Sequence, residues 1–196
     1  TGSGGAERSL LELIAALDPA RVRPLVGLPD VGWLGRELTA RGVPMLSLPL
    51  VPIRRSRRPR YLLGLLRHLH ACASGLRRVV CQVDLIHANG NNAHVFAAWA
   101  APRLGRPIVW HSRDLVALKP IGGWLGRLAE RIVAISETVH AHLAGEIGSS
   151  QRLVTVMNGI DVVGLRARSR GATRPCSYPE DTIVLATLGQ MVPWKR

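Results

Sequence analysis

Short apolar runs alternate with helix-like segments along most of this chain, and that alternation constrains its fold more than any other feature. The stretches "DLIHANG", "PIVWHSRD", "IVAISE" and "VTVMNGID" each carry a short apolar run that gives way to polar residues. A run in which apolar residues do not alternate with polar ones is a strand covered on both faces. Neighbouring parallel strands need a crossover, and "NNAHVFAAWAAPRLG", "GGWLGRLAE" and "ETVHAHLAG" supply helical ones between successive runs. Upstream, Leu10, Leu13, Ile14 and Leu17 follow helical spacing and predict a helix over residues 6–17, ended near Pro19. "RVRPLVGLP" and "VPMLSLPL" read as strands flanking the helix "VGWLGRELTARG", which Gly42 ends. In "YLLGLLRHLHACASGLRR", Leu62, Leu65, Leu66 and Leu69 form one apolar stripe with Arg67 and His68 outside it. The expected fold is α/β, a parallel sheet with helices on both faces.

The chain has 196 residues, room for one ordinary domain and the start of a second. With 47% hydrophobic residues and a mean hydropathy of +0.14, it has enough apolar surface for a core. The net charge is +13, and only Lys119 and Lys195 are lysines. Arginine suits phosphates and carboxylates, so nucleic acid, anionic lipid and phosphorylated substrates are the candidate partners; a GC-rich genome produces the same bias. Cys72, Cys81 and Cys176 are widely spaced and fit neither a disulfide framework nor a zinc site, which points to a reducing compartment. No apolar run approaches the roughly 20 residues needed to span a bilayer, and no signal peptide is visible. The first residue is Thr and not Met, which leaves room for an upstream segment.

In a doubly wound sheet, ligands bind beyond the carboxyl ends of the strands, so the residue that ends each run is the informative one. Those residues include His87, Asn89 and Asn91, then His111, Ser112, Arg113 and Asp114, then Ser136 and Glu137, then Asn158 and Asp161. Ser136 and Asn91 equally fit helix caps or turn formers, whereas His111 is not needed as a cap. The opening "TGSGGAERS" fails the dinucleotide fingerprint, because Glu7 stands where its last glycine belongs, and a Walker lysine is absent. What remains is a glycine loop before a helix start, whose amides and dipole attract an anion. The pairs His68/His70 and His140/His142 point in different directions on their helices, no H-E-x-x-H is present, and no Ser-His-Asp arrangement is visible, so no metal site is expected.

In their order, "GSGGAERSLLEL", "DLIHANG", "IVWHSRDL", "RIVAISETV", "VTVMNGID" and "LGQMVPWKR" resemble the successive landmarks of glycosyltransferase family 4, of GT-B fold. The resemblance implies the N-terminal half of a GT-B fold, a Rossmann-like sheet with its first strand missing. It divides the chain into an acceptor-side domain over 1–165, an interdomain linker over 166–180, and the first strand and loop of a truncated donor-binding domain over 181–196. It implies a retaining, hexosyltransferase-like enzyme that moves a sugar from a nucleotide-sugar to a glycan, lipid-linked or small-molecule acceptor, without a metal or other cofactor. By resemblance, His111 lines the transfer site, Gly4, Gly5, Asn158, Gln190 and Lys195 bind the donor, and His87, Asn89, Asp114 and Ser136 form the acceptor edge of the crevice. Gln190 stands where the family has an Arg, and Arg196 where it usually has a Gly. The isolated chain is expected to be an inactive fragment.

"RRSRRPRYLLGLLRHLH" sets Arg54, Arg55, Arg57 and Arg58 before an apolar helix, a pattern that fits an anionic membrane surface or, equally, a solvated loop before a core helix. A cytoplasmic protein, peripheral at the inner membrane face, is the location this implies. The alternatives are a non-catalytic nucleotide- or sugar-binding α/β module and a basic nucleic-acid-binding domain. Against the second, aromatics are only 4% and no nucleic-acid-binding motif occurs, leaving only nonspecific phosphate attraction.

Overall fold

The alternating pattern folds largely as read. In the computed structural model, residues 4–148, 150–170, 178 and 181–185 are described. The chain divides into two compact units, Thr1–Ile160 and Asp161–Arg196. The first unit runs α1 (Gly5–Ala16), β1 (Val26–Leu28), α2 (Gly32–Ala40), β2 (Met45–Ser47), α3 (Pro59–Val79), β3 (Ile86–Asn89), α4 (Asn91–Leu104), β4 (Ile108–Ser112), α5 (Gly122–Arg127), β5 (Arg131–Ala134), α6 (Glu137–Ile147) and β6 (Leu153–Thr155).

All strand pairs are parallel, but the strands form two sheets and not the single one expected. One sheet is β1–β2, the other β3–β4–β5–β6. Between them, an apolar cavity of about 150 Å³ is lined by Leu46 and Leu48 from the first sheet's side and by Ile86, Ala88 and Phe96 from the second's. Apolar side chains line that space, and no hydrogen-bonded ladder joins the two sheets.

The four-stranded sheet has a clear division of faces. In a strand, alternate side chains point to opposite faces, and paired residues in neighbouring parallel strands share a face. Ala88 pairs with Trp110 and Trp110 with Ile132. This face packs Trp110, Ile132 and Ala134 against Ala98 of α4, Leu125 of α5 and Val139 and Leu143 of α6. Trp110 is fully buried, a contribution of roughly 1.5–3 kcal/mol for a large apolar side chain. His87, Asn89 and His111 fall on the other face, because Asn89 pairs with His111 and His87 lies two residues earlier on β3.

α3 departs from the expected stripe. Leu69 is buried and Leu65 packs with it, but Leu62, Leu63 and Leu66 are 43%, 53% and 42% exposed. The helix turns only a narrow edge towards the core and leaves a leucine surface in solvent. In the second unit, residues 162–169 form α7 (Val162–Ser169), capped by Asp161, whose carboxylate accepts from the Gly164 amide. The stretch from Val163 lacks helical periodicity in sequence, so the cap and not an apolar face marks this helix. Residues 181–185, the start of the expected strand, carry no strand pairing.

Candidate functional site

The short run "WHSRD" divides its side chains by alternation. Trp110 and Ser112 point into the core, where both donate to Oδ1 of Asn91, at 3.0 and 2.7 Å. Asn91 is itself buried, and its Nδ2 donates to the Asp114 carbonyl at 3.4 Å. Gly90, at φ +118, makes the turn from β3 that brings Asn91 to the start of α4. Asn91 is therefore a buried strut that fixes the end of β4, and not a helix cap.

His111 and Arg113 lie on the opposite side and meet residues from α1, β3 and the segment after β6. His87 Nε2 is 3.2 Å from His111 Nδ1, and Arg113 Nη2 is 3.4 Å from the same nitrogen. Arg113 Nε donates to Asn89 Oδ1 at 2.8 Å, and Arg113 Nη1 donates to Ser9 Oγ at 3.0 Å and to Asn158 Oδ1 at 2.8 Å. Ser9 in turn donates to Asn158 Oδ1 at 2.9 Å, and Asn89 Nδ2 donates to the Ala6 carbonyl at 3.2 Å. The first turn of α1 is thereby pinned to the carboxyl end of β3.

The electrostatics follow from this half-buried position. Burial first, then the charge of Arg113, lowers the His87 pKa. Burial, Arg113 and His87, in that order, lower His111 to about 4, so both imidazoles are neutral near neutral pH. Burial also works against the charge of Arg113, which the carboxylates of Asp114 and Glu7 support. Its hydrogen-bond partners are all neutral. A permanent cation against the imidazole pair works against a metal ion at those nitrogens. Among the described residues, no three His, Cys, Asp or Glu side chains are grouped to hold a metal.

Of the expected site residues, the fold brings His87, Asn89, His111 and Asn158 into one network. Gly4 is the N-cap of α1 and has no side chain with which to cover the first amides of that helix. The Glu7 carboxylate lies against Gly4 and would collide with a side chain there. Ser136 serves as the N-cap of α6, accepting from the Val139 amide at 3.2 Å. Asp114 has an exposed side chain. Gln190 and Lys195 lie outside the described residues. Arg54, Arg55, Arg57 and Arg58 are exposed, and Arg55 donates to the Ala117 carbonyl at 3.0 Å. Of the other two members of the network, Arg113 stands in sequence among the polar residues that end the β4 run, with no role assigned to it, and Ser9 is not among the expected site residues. Arg113 was legible there as the next same-face residue after His111; Ser9 sits mid-helix and carried no such signal.

The family profile described as Glycosyltransferase Family 4 matches residues 3–163. No curated protein matches the chain. Among solved structures, Anabaena HepE in complex with UDP-glucose is 24% identical, with a TM-score of 0.61, over 83% of this chain and 42% of HepE. HepE with UDP and glucose is 24% identical at a TM-score of 0.59, over 87% of this chain and 48% of that one. MurG of Acinetobacter baumannii is 18% identical at a TM-score of 0.55, over 79% of this chain and 43% of MurG. The shared feature is the α/β fold of GT-B glycosyltransferases, and the chain spans less than half the length of each of these structures.

Proposed function

Because the chain belongs to glycosyltransferase family 4, we propose that it forms the acceptor-side part of a retaining, hexosyltransferase-like enzyme acting on a nucleotide-sugar donor. The observation that carries this reading is the half-buried His111–Arg113 pair, which meets α1 through Ser9 near its glycine-capped start. Transfer of a sugar leaves a nucleoside diphosphate whose negative charge grows as the glycosidic bond breaks. A fixed guanidinium and the amides of a helix start supply electrostatic help to such a leaving group. His111 meets the donor sugar in this reading, with Gly4, Gly5 and Asn158 near the diphosphate. Gln190 and Lys195 extend the donor site by resemblance. No metal ion is needed, since cationic side chains take that role, and the nucleotide-sugar is substrate and not cofactor. The acceptor is a glycan, a lipid-linked sugar or a small molecule.

UDP-glucose and UDP, the compounds seen with HepE, are the first ligands to test. Titrating them onto the chain while following histidine ring signals should move the resonances of His111 and His87. The effect should vanish in His111→Ala. Crevice resonances that stay unmoved with UDP-glucose, UDP and a panel of other nucleotide-sugars would reject the reading.

The exposed leucines of α3 support a peripheral contact with anionic membrane at the inner, cytoplasmic face. Leu62, Leu63 and Leu66 stand in solvent just after Arg54, Arg55, Arg57 and Arg58. Apolar side chains that enter the headgroup region beside a cluster of arginines are the makings of an interfacial helix. No helix of the described residues is long and apolar enough to cross a membrane.

A further inference from the structure

We propose that Arg113 and His87 are positioning residues that fix His111 as the Nε2–H tautomer, so that His111 presents a hydrogen-bond donor, and never a base, to its ligand. The inference follows from the chemistry of the donors around one atom. A guanidinium has only N–H groups and no lone pair to offer, so any polar contact it makes is as a donor. Arg113 Nη2 lies 3.4 Å from His111 Nδ1, which makes that nitrogen the acceptor. His87 Nε2, 3.2 Å from the same Nδ1, must then donate as well, and His87 carries its proton on Nε2. A neutral imidazole with a lone pair on Nδ1 holds its one ring proton on Nε2.

Among the described residues, His111 Nε2 is buried and has no hydrogen-bond partner. A buried N–H without an acceptor is costly, roughly 1–3 kcal/mol, and the group is relieved by any ligand oxygen that reaches it. Trp99 Nε1 and His94 Nδ1 are likewise buried without a partner, but of the three only His111 Nε2 belongs to the polar network at the carboxyl ends of the strands. The tautomer also decides the chemistry: a nitrogen that already bears hydrogen cannot abstract one, so His111 acts by orienting or polarising an oxygen. Protonating Nδ1 would set a new N–H against the N–H groups of Arg113 and His87, in agreement with the low His111 pKa. The charged and titratable groups around it are His87 on β3, Arg113 after β4, and, acting on Arg113, Asp114 and Glu7 of α1. From the proposed function, this takes only that Nε2 is the atom the substrate meets.

The ring nitrogens can be read directly by ¹⁵N-histidine spectroscopy of the whole chain without ligand, which separates this inference from donor binding. His111 should show a protonated Nε2 and an unprotonated Nδ1 at neutral pH. Arg113→Met should raise the His111 pKa from about 4 towards the ordinary 6.5 and let the Nδ1–H form appear. His87→Leu should do the same to a smaller extent, and His87→Gln, which keeps an N–H donor, should restore the Nε2–H form. A His111 protonated on Nδ1 in the unaltered chain overturns the proposal. So does a His111 whose tautomer and titration are the same in Arg113→Met and His87→Leu as in the unaltered chain.

Discussion

Arg113 Nη1 donates to Asn158 Oδ1 at 2.8 Å, joining the segment after β4 to the segment after β6, two strands away in the sheet. The same amide oxygen accepts from Ser9 of α1, so a single acceptor gathers three parts of the chain. Asn158 is exposed, which places this knot at the protein surface.

Replacing Asn158 by Ala removes that acceptor but leaves its donors reachable by water. The expected loss is only about 1 kcal/mol of stability, as for a partly exposed hydrogen-bonded group. Denaturant unfolding should show the small loss, while UDP-glucose binding falls more steeply because Arg113 loses one of its restraints. Equal effects on stability and binding would argue against a positioning role for Asn158.

Asn91 presents the opposite case. Its side chain is buried and satisfies both Trp110 Nε1 and Ser112 Oγ, so Asn91→Ala strands two buried donors. A loss of about 3 kcal/mol or more is expected by denaturant unfolding. Adding Ser112→Ala should cost less than it does alone, because its hydroxyl no longer has a partner to lose.

Acid should weaken the fold through its buried histidines. His94 stacks on Trp110 with ring centroids 4.3 Å apart and shares a 3.0 Å hydrogen bond with the Leu125 carbonyl. Burial, only partly offset by that bond, lowers its pKa to about 4, like that of His111. A depressed histidine is neutral when folded but takes up a proton when unfolded. Stability is therefore fully present above about pH 6.5 and lost as the pH falls towards about 4, with His94 contributing up to about 3 kcal/mol. Unfolding free energies across this window should fall with acid, and His94→Gln should flatten the slope. A pH-independent free energy in the unaltered chain would contradict the burial of these rings.

Glu7 sets a carboxylate against Gly4 at the start of α1, where an incoming diphosphate would meet the helix amides. Glu7→Gln removes that like charge. UDP should bind up to about fivefold more tightly, the usual worth of one charge at a helix end. Weaker binding in Glu7→Gln would mean that its support of the Arg113 charge outweighs repulsion of the ligand.

Vesicle sedimentation tests the α3 surface. Binding to anionic but not neutral vesicles is expected, falling with salt as exposed charges are screened. Replacing Arg54, Arg55, Arg57 and Arg58 by Gln should abolish it, and Leu62, Leu63 and Leu66 by Ser should weaken it. Equal binding to both vesicle types would reject the membrane contact.

Sequence alone determined the α/β class, the element order and the edge on which polar residues gather, because these follow from local periodicity and from where each apolar run stops. His87, Asn89 and His111 could be placed at that edge, since strand alternation is a property of neighbouring residues. Tertiary structure decided the rest. Whether β1 and β3 share a ladder depends on what lies between them in space, and here a cavity lined by apolar side chains does. Whether Leu62 and Leu66 face the core depends on how α3 rolls against α4, which its own stripe does not specify. The partners of Arg113 come from positions 9, 89, 111 and 158. No local pattern encodes such contacts, because hydrogen bonds and desolvation act between groups that meet only once the chain has folded.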